Sequence, residues 1–274
     1  MELADRPGCY IWRPVRFETV TWSGECAGGY AQGTGTQLLR VDSDGDAYYQ
    51  SSEEGTLVDG RKRGRWAEEE EFRFRGRTNV QRSTSEGSYV NGERNGIWRH
   101  RDVQLDIVTE GQYVDGLRQG EWVSRHSSGT VTNQGRYVDG QQQGRWISRQ
   151  TDGTPYEEGE YVDGRKHGFW TVFEEVDGLV WYSESRYVNG SKDGLQFEWF
   201  WSRYQDRAVQ GRFVVGETSP ITELECVRHY SGTLTASMTT RNPVAVTRID
   251  LDEDRTTRST CEDLLSKPKP EFGS

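Results

Sequence analysis

The sequence predicts an all-β protein: an extended, single-layer antiparallel sheet of stacked β-hairpin repeats, with a disulfide-closed N-terminal hairpin and a small C-terminal β cap. Three observations predict it. The stretch "EGQYVDGLRQGEW" at Glu110 returns along the chain in near-copies. Its three glycines rule out a helix over the same residues. Counting glycine and leaving out tyrosine, apolar usage is roughly 39%, below the 45–50% of ordinary domains. A single thick core is not expected from that. A thin sheet with two wet faces needs fewer aliphatic residues and more flat rings, and the chain has 10 tryptophans and 13 tyrosines.

In chain order, residues 1–21 form an N-terminal strand or cap, and the repeat array spans 22–216. The first frame position of its modules falls at Gly24, Gly55, Gly87, Gly111, Gly135, Gly159, Ser185 and Gly211. The middle intervals are 24 residues, the last two are 26 and the first two are 31 and 32, so "AEEEEFRFRGRTNVQRSTS" is an inserted excursion. Two modules are degraded: Ser185 replaces a glycine, and "QGRFVVGETSP" breaks off at Pro220. The first module has Cys26 where tyrosine sits elsewhere and Gly35 in place of tryptophan. Residues 217–268 alternate polar and β-branched residues and form a C-terminal cap of a few strands. Residues 269–274 read as a tag remnant.

Within a module, two strands flank "DGLRQG", whose Asp-Gly tolerates positive φ and lets the chain reverse. If the strands pair symmetrically about this six-residue connection, Tyr113 lies across from Trp122. Gly111, two residues before Tyr113, shares its face and leaves room for a neighbouring ring. A second turn follows each tryptophan, as in "SSG" at 127–129. Single hairpins are marginal in water, whereas stacked ones share faces and stabilise each other. Eight such modules would make a ribbon of about 75 Å before twist.

Glycine–aromatic–glycine spacing repeated at this interval resembles the MORN-repeat family in a bacterial-type variant. The resemblance covers about residues 22–216, with the modules at Ser185 and Gly211 outside its best match. It implies a non-catalytic scaffold or accessory segment, with protein partners or phospholipid as the family's associations. It also brings an immunity or antitoxin-like role into view.

Cysteines fall as two separated pairs. Cys9 and Cys26 flank "RPVRFE", a reversal expected to set them opposite each other in a hairpin, and Cys226 and Cys261 bracket the C-terminal segment. Pairing within each end suits an oxidising compartment, secreted or periplasmic. "MELADRPGCY" has no apolar signal core, so the reading is a chain whose signal has been removed. No apolar run approaches the length of a membrane span. The net charge of −10 opposes binding to nucleic acid or anionic lipid. Basic runs such as "GRKRGR" read as solvated charge at turn tips.

The chemistry-bearing residues give little sign of catalysis. His100, His126, His167 and His229 lack ligand spacing. Asp42, Asp44, Asp46 and Glu53 match positions 1, 3, 5 and 12 of a calcium loop, but Ala47 stands where glycine is needed and strands are expected alongside. An inter-strand turn is the better reading, and no metal or cofactor is expected. No nucleophile elbow, phosphate loop or dinucleotide fingerprint is present. The candidate binding face is the aromatic ladder of Tyr89, Tyr113, Tyr137 and Tyr161 with Trp98, Trp122, Trp146 and Trp170. These rings hold modules together, and those left open offer flat platforms. The expectation is a non-enzymatic scaffold for a protein partner. A glycan stacking on exposed tryptophans is the first alternative, and a membrane-surface tether the weakest. Homo-oligomers through sheet edges or ends fit as well.

Overall fold

The computed structural model describes residues 1–12, 18–43, 47–74, 80–176, 179–202, 209–214, 221–228, 234–241 and 244–249. The described residues are mostly β-strand, with no helix, arranged as successive, mostly antiparallel hairpins. It divides into two compact units, Met1–Gln141 and Gln142–Ser274.

The first unit begins with β1 (Glu2–Leu3), β2 (Arg6–Tyr10), β3 (Thr19–Trp22) and β4 (Glu25–Ala27). Then come β5 (Tyr30–Ser43), β6 (Ala47–Val58), β7 (Arg61–Phe74) and β8 (Val80–Val90). It ends with β9 (Glu93–Asp102), β10 (Ile107–Val114), β11 (Leu117–His126) and β12 (Val131–Val138). From β5 to β12 each strand pairs antiparallel with the next. The excursion at 67–86 lengthens this hairpin rather than looping out, because Trp66 to Arg73 pairs continuously with Gly87 to Val80.

At the start of the sheet, β3 and β4 pair with successive halves of β5. The β1–β2 hairpin adds a single parallel bridge, Tyr10 to Tyr30. Leu3, Cys9, Ile11, Val20 and Trp22 are buried in one cluster with Leu57, Trp66 and Trp98, so this segment closes the first end of the ladder. The Cys9–Cys26 disulfide forms, with Cα atoms 6.1 Å apart. Its geometry differs from the expected hairpin. Cys9 lies on β2 and Cys26 on β4, strands that each pair with β5 and not with one another. The proposed Cys226–Cys261 pair lies outside the residues whose side chains are described.

The second unit holds β13 (Gln141–Arg149), β14 (Pro155–Val162), β15 (Arg165–Val176), β16 (Leu179–Val188) and β17 (Ser191–Ser202). It continues with β18 (Val209–Val214), β19 (Ile221–Arg228), β20 (Leu234–Arg241) and β21 (Val244–Ile249). These again pair in chain order. The segment expected as a cap therefore supplies strands β19 to β21, which continue the same antiparallel order.

The hairpin connection is tighter than the six residues expected. Asp115 and Gly116 have φ of 47° and 79°, the two-residue type I′ turn that matches strand twist. The strands then resume as Val114–Leu117 and Tyr113–Arg118 pairs. Register shifts next, from Gln112–Gln119 to Gly111–Trp122, with Gly120 at φ 71° in the bulge. Tyr113 thus pairs with Arg118, and the residue across from Trp122 is Gly111. The two glycines of this short connection differ in role: Gly116 makes the turn and Gly120 makes the bulge.

Candidate functional site

In four hairpins the tryptophan ring lies across a glycine of its own hairpin. A methyl group on Gly55, Gly87, Gly111 or Gly159 would overlap the indole of Trp66, Trp98, Trp122 or Trp170 respectively. On its other side, the tryptophan pairs with the frame glycine of the following hairpin, as Trp66 does with Gly87 and Trp98 with Gly111. The bare backbone lets a large ring lie flat on a single-layer sheet.

Tyrosines fill the intervals edge-on. In the first unit the chain of contacts runs Trp66–Tyr89–Trp98–Tyr113–Trp122–Tyr137, with centroids 5.1–6.2 Å apart and planes nearly perpendicular. In the second it runs Trp146–Tyr161–Trp170–Tyr187. Trp22 stacks on Trp66 at 6.3 Å and starts the first ladder. Edge-to-face contacts of this kind suit the ring quadrupole. All eight rings named from the sequence are therefore brought together within their own units. Trp98, Trp122, Trp146 and Trp170 are only 2–6% exposed, so their faces do not stand open as platforms.

What covers them was not read from the sequence. In four hairpins the residue two before the bulge glycine is a cation lying over the rings, at Lys62, Arg94, Arg118 and Lys166, while before Gly144 it is Gln142. Lys62 Nζ is 4.4 Å from the Trp66 centroid and 4.5 Å from that of Tyr89. The Arg94 guanidinium carbon is 4.1 Å from Trp98, that of Arg118 4.6 Å from Trp122, and Lys166 Nζ 4.0 Å from Trp170. Lys62 belongs to "GRKRGR", and its side chain is 11% exposed. It is a packed ring cover, not a solvated turn-tip charge. The signal lay in its fixed place, since a basic residue recurs at Lys62, Arg94, Arg118, Lys166 and Lys192.

Carboxylates answer most of these cations. Lys62 pairs with Glu53 at 2.9 Å and Glu68 at 2.5 Å, and Arg94 reaches Glu68 at 2.8 Å. Tyr89 donates its hydroxyl to Glu68 at 2.6 Å. Two anions and two cations thus close into a neutral cluster. Burial pushes the Glu68 carboxyl up, but Lys62 and the hydrogen bonds outweigh it and hold it below the ordinary carboxylate range. Burial beside Glu68 raises the Tyr89 phenol. Lys166 pairs with Glu157 in the same manner.

The corresponding places around Arg118 carry hydroxyls. Thr109 stands for Glu53 and Ser124 for Glu68, and they bond each other at 2.8 Å. Arg118 donates to Tyr113 Oη at 3.4 Å and Tyr137 Oη at 2.9 Å. Burial works against its charge, but these bonds outweigh it and raise its pKa. Trp98 and Trp170 donate their N–H to Ser88 and Glu160 carbonyls. Trp122 Nε1 is the one buried side-chain polar atom without a partner among the described residues.

The turns form a second row. The amide of each turn glycine donates to the carbonyl of the residue in the cation position one hairpin earlier: Gly92 to Lys62, Gly116 to Arg94, Gly140 to Arg118 and Gly190 to Lys166, all at 2.9 Å. The opposite sheet face is charged in both signs, with Arg65–Glu86 at 3.1 Å, Arg101–Asp106 at 2.7 Å and Arg99–Glu110 at 4.0 Å. An open depression of about 610 Å³ around Arg99, Arg101 and Val108 lies there.

Of the calcium-loop residues, Asp42, Asp44 and Asp46 lie outside the residues whose side chains are described, while Glu53 is engaged by Lys62. Among the described residues no group of three metal-binding side chains converges. His100 bonds Ser85 through Nδ1 at 2.9 Å, and His126 bonds Ser128 likewise. Among the described residues no helix is long and apolar enough to cross a membrane. A comparison with protein-family models finds no match, and a comparison with curated proteins finds none either.

Proposed function

We propose that the chain is a non-enzymatic repeat scaffold of MORN-like hairpins that holds a protein partner along its ladder face, outside the cytoplasm. One observation carries this reading: equivalent side chains return on the same face once per hairpin. Within a unit that pitch is about 10 Å, two strands at about 4.8 Å. A surface of equal places at equal spacing suits an extended polypeptide. The Cys9–Cys26 disulfide supports an oxidising compartment. The ladder favours protein over glycan, since a sugar ring needs an open aromatic face and cations and neighbouring rings cover these indoles.

Site-specific photo-crosslinking in the native extract tests the proposal. A benzoyl-phenylalanine at Tyr137, on the ladder face, is expected to trap one protein in stoichiometric amount. The same group at Val114, which points to the other face next to Tyr113, is expected to trap none. Crosslinks from Val114 alone, or a glycan as the only retained ligand, would overturn it.

A further inference from the structure

Of the four cations that lie over ladder tryptophans, Lys62, Arg94 and Lys166 are neutralised from within and Arg118 is the exception. Lys62 and Arg94 share Glu53 and Glu68, and Lys166 has Glu157. Arg118 has no carboxylate within ion-pair distance among the described residues; its partners are two tyrosine oxygens and two rings. The substitutions responsible are Thr109 and Ser124 at the places of Glu53 and Glu68. The same hairpin holds Trp122, whose buried N–H lacks the acceptor found by Trp98 and Trp170. Cation and donor alike are left without the acceptors that their counterparts have.

We propose that Arg118, with the hydroxyls of Tyr113, Tyr137 and Ser124, receives an aspartate or glutamate side chain of the protein partner, in the place that Glu68 occupies between Lys62 and Arg94. This rests on the scaffold reading and names what that face recognises. The internal counterpart shows the chemistry: Glu68 is held by a lysine, an arginine and the tyrosine hydroxyl of Tyr89. At Arg118, three of the five guanidinium N–H groups remain after the bonds to Tyr113 and Tyr137, enough for a two-oxygen grip on a carboxylate. Tyr113 accepts from Arg118, and its own hydroxyl proton can be donated in turn. Arg118 is exposed, so an incoming group reaches it without displacing the ladder. One guanidinium and a few hydroxyls match one monoanion. A doubly charged phosphate would need further cations, in a chain of net charge −10.

The test is NMR of the full oxidised chain, labelled at arginine Nε and tryptophan Nε1, titrated with N-acetyl-glutamate α-amide. Saturable shifts of Arg118 and Trp122 are expected, with a dissociation constant on the order of millimolar. Arg118→Gln is expected to weaken binding at least tenfold. Ser124→Glu is expected to abolish it with an unchanged or higher melting temperature, because an internal carboxylate then takes the place. Three outcomes would overturn the proposal: no saturable shift, an equal response in Arg118→Gln, or an equal response to neutral N-acetyl-glutamine amide. A crosslinked partner without a carboxylate response sinks this subsite and leaves the scaffold reading standing; a carboxylate response without any crosslinked partner sinks the scaffold reading and, with it, the assignment of the carboxylate to a protein.

Discussion

In the hairpins of Gly55, Gly87, Gly111 and Gly159 the frame glycine is constrained for a reason that has nothing to do with its own torsion angles. Gly111 has no room for a Cβ because Trp122 lies across it. Gly111→Ala is expected to cost about 2 kcal/mol through overpacking, read as a lower urea midpoint. In a Trp122→Leu background the same change should cost much less, and that non-additivity is the signature of a ring socket. The socket was legible in the sequence, because glycine two residues before tyrosine stands out in a strand. The ring cover was not. Lys62 and Arg94 are basic residues beside turns, and charge beside a turn usually means solvent. Only the lateral neighbour, a ring contributed by the next hairpin, turns the position into a buried one.

The turn and the bulge divide the work between two glycines. Gly120 sits at φ 71° with nothing within 4 Å of where a Cβ would be. Gly120→Ala should therefore lose only the backbone term of about 1–2 kcal/mol, with no rescue by a smaller Trp122. The sequence shows both glycines but not which one reverses the chain, so the strand partner of Trp122 does not follow from it. Ring contact between Tyr113 and Trp122 survives at 5.1 Å, since the bulge brings neighbouring positions together.

The cluster across β6 to β9 adds a pH dependence. Glu68 has a folded-state pKa below its ordinary value, so its contribution is present near neutrality and is lost as pH falls below about 4.5 through the lowered value. Tyr89 has a raised pKa; its contribution holds below the ordinary value of 10.0 and is lost as pH rises beyond it. Melting temperature against pH should fall on both sides. Glu68→Gln should lower the plateau and flatten the acid limb. An acid limb unchanged in Glu68→Gln would place the titrating group elsewhere.

Within each unit the ladder is a spine, and on the proposed reading its outer edge of cations and hydroxyls is what a partner meets. The N-terminal strands close the first end of that spine, and the disulfide ties them down across 17 residues. Its reduction should cost about 3 kcal/mol on loop-closure grounds, visible as a lower melting temperature in reductant. The repeat period and strand class were legible because they depend on local pattern. The disulfide partners were legible, but the strands that carry them were not, since β5 stands between two segments distant in sequence.

The most direct measurement takes thermal stability and affinity for the crosslinked partner side by side in Trp122→Ala and Arg118→Gln. Trp122→Ala removes a ring that is 5% exposed and should cost about 3 kcal/mol or more of stability. Arg118→Gln should leave the melting temperature within a few degrees of the parent while weakening the partner at least tenfold. The reverse pattern would contradict the account: Trp122→Ala abolishing binding at unchanged stability, with Arg118→Gln binding like the parent, would make the indoles the site and the cations their support.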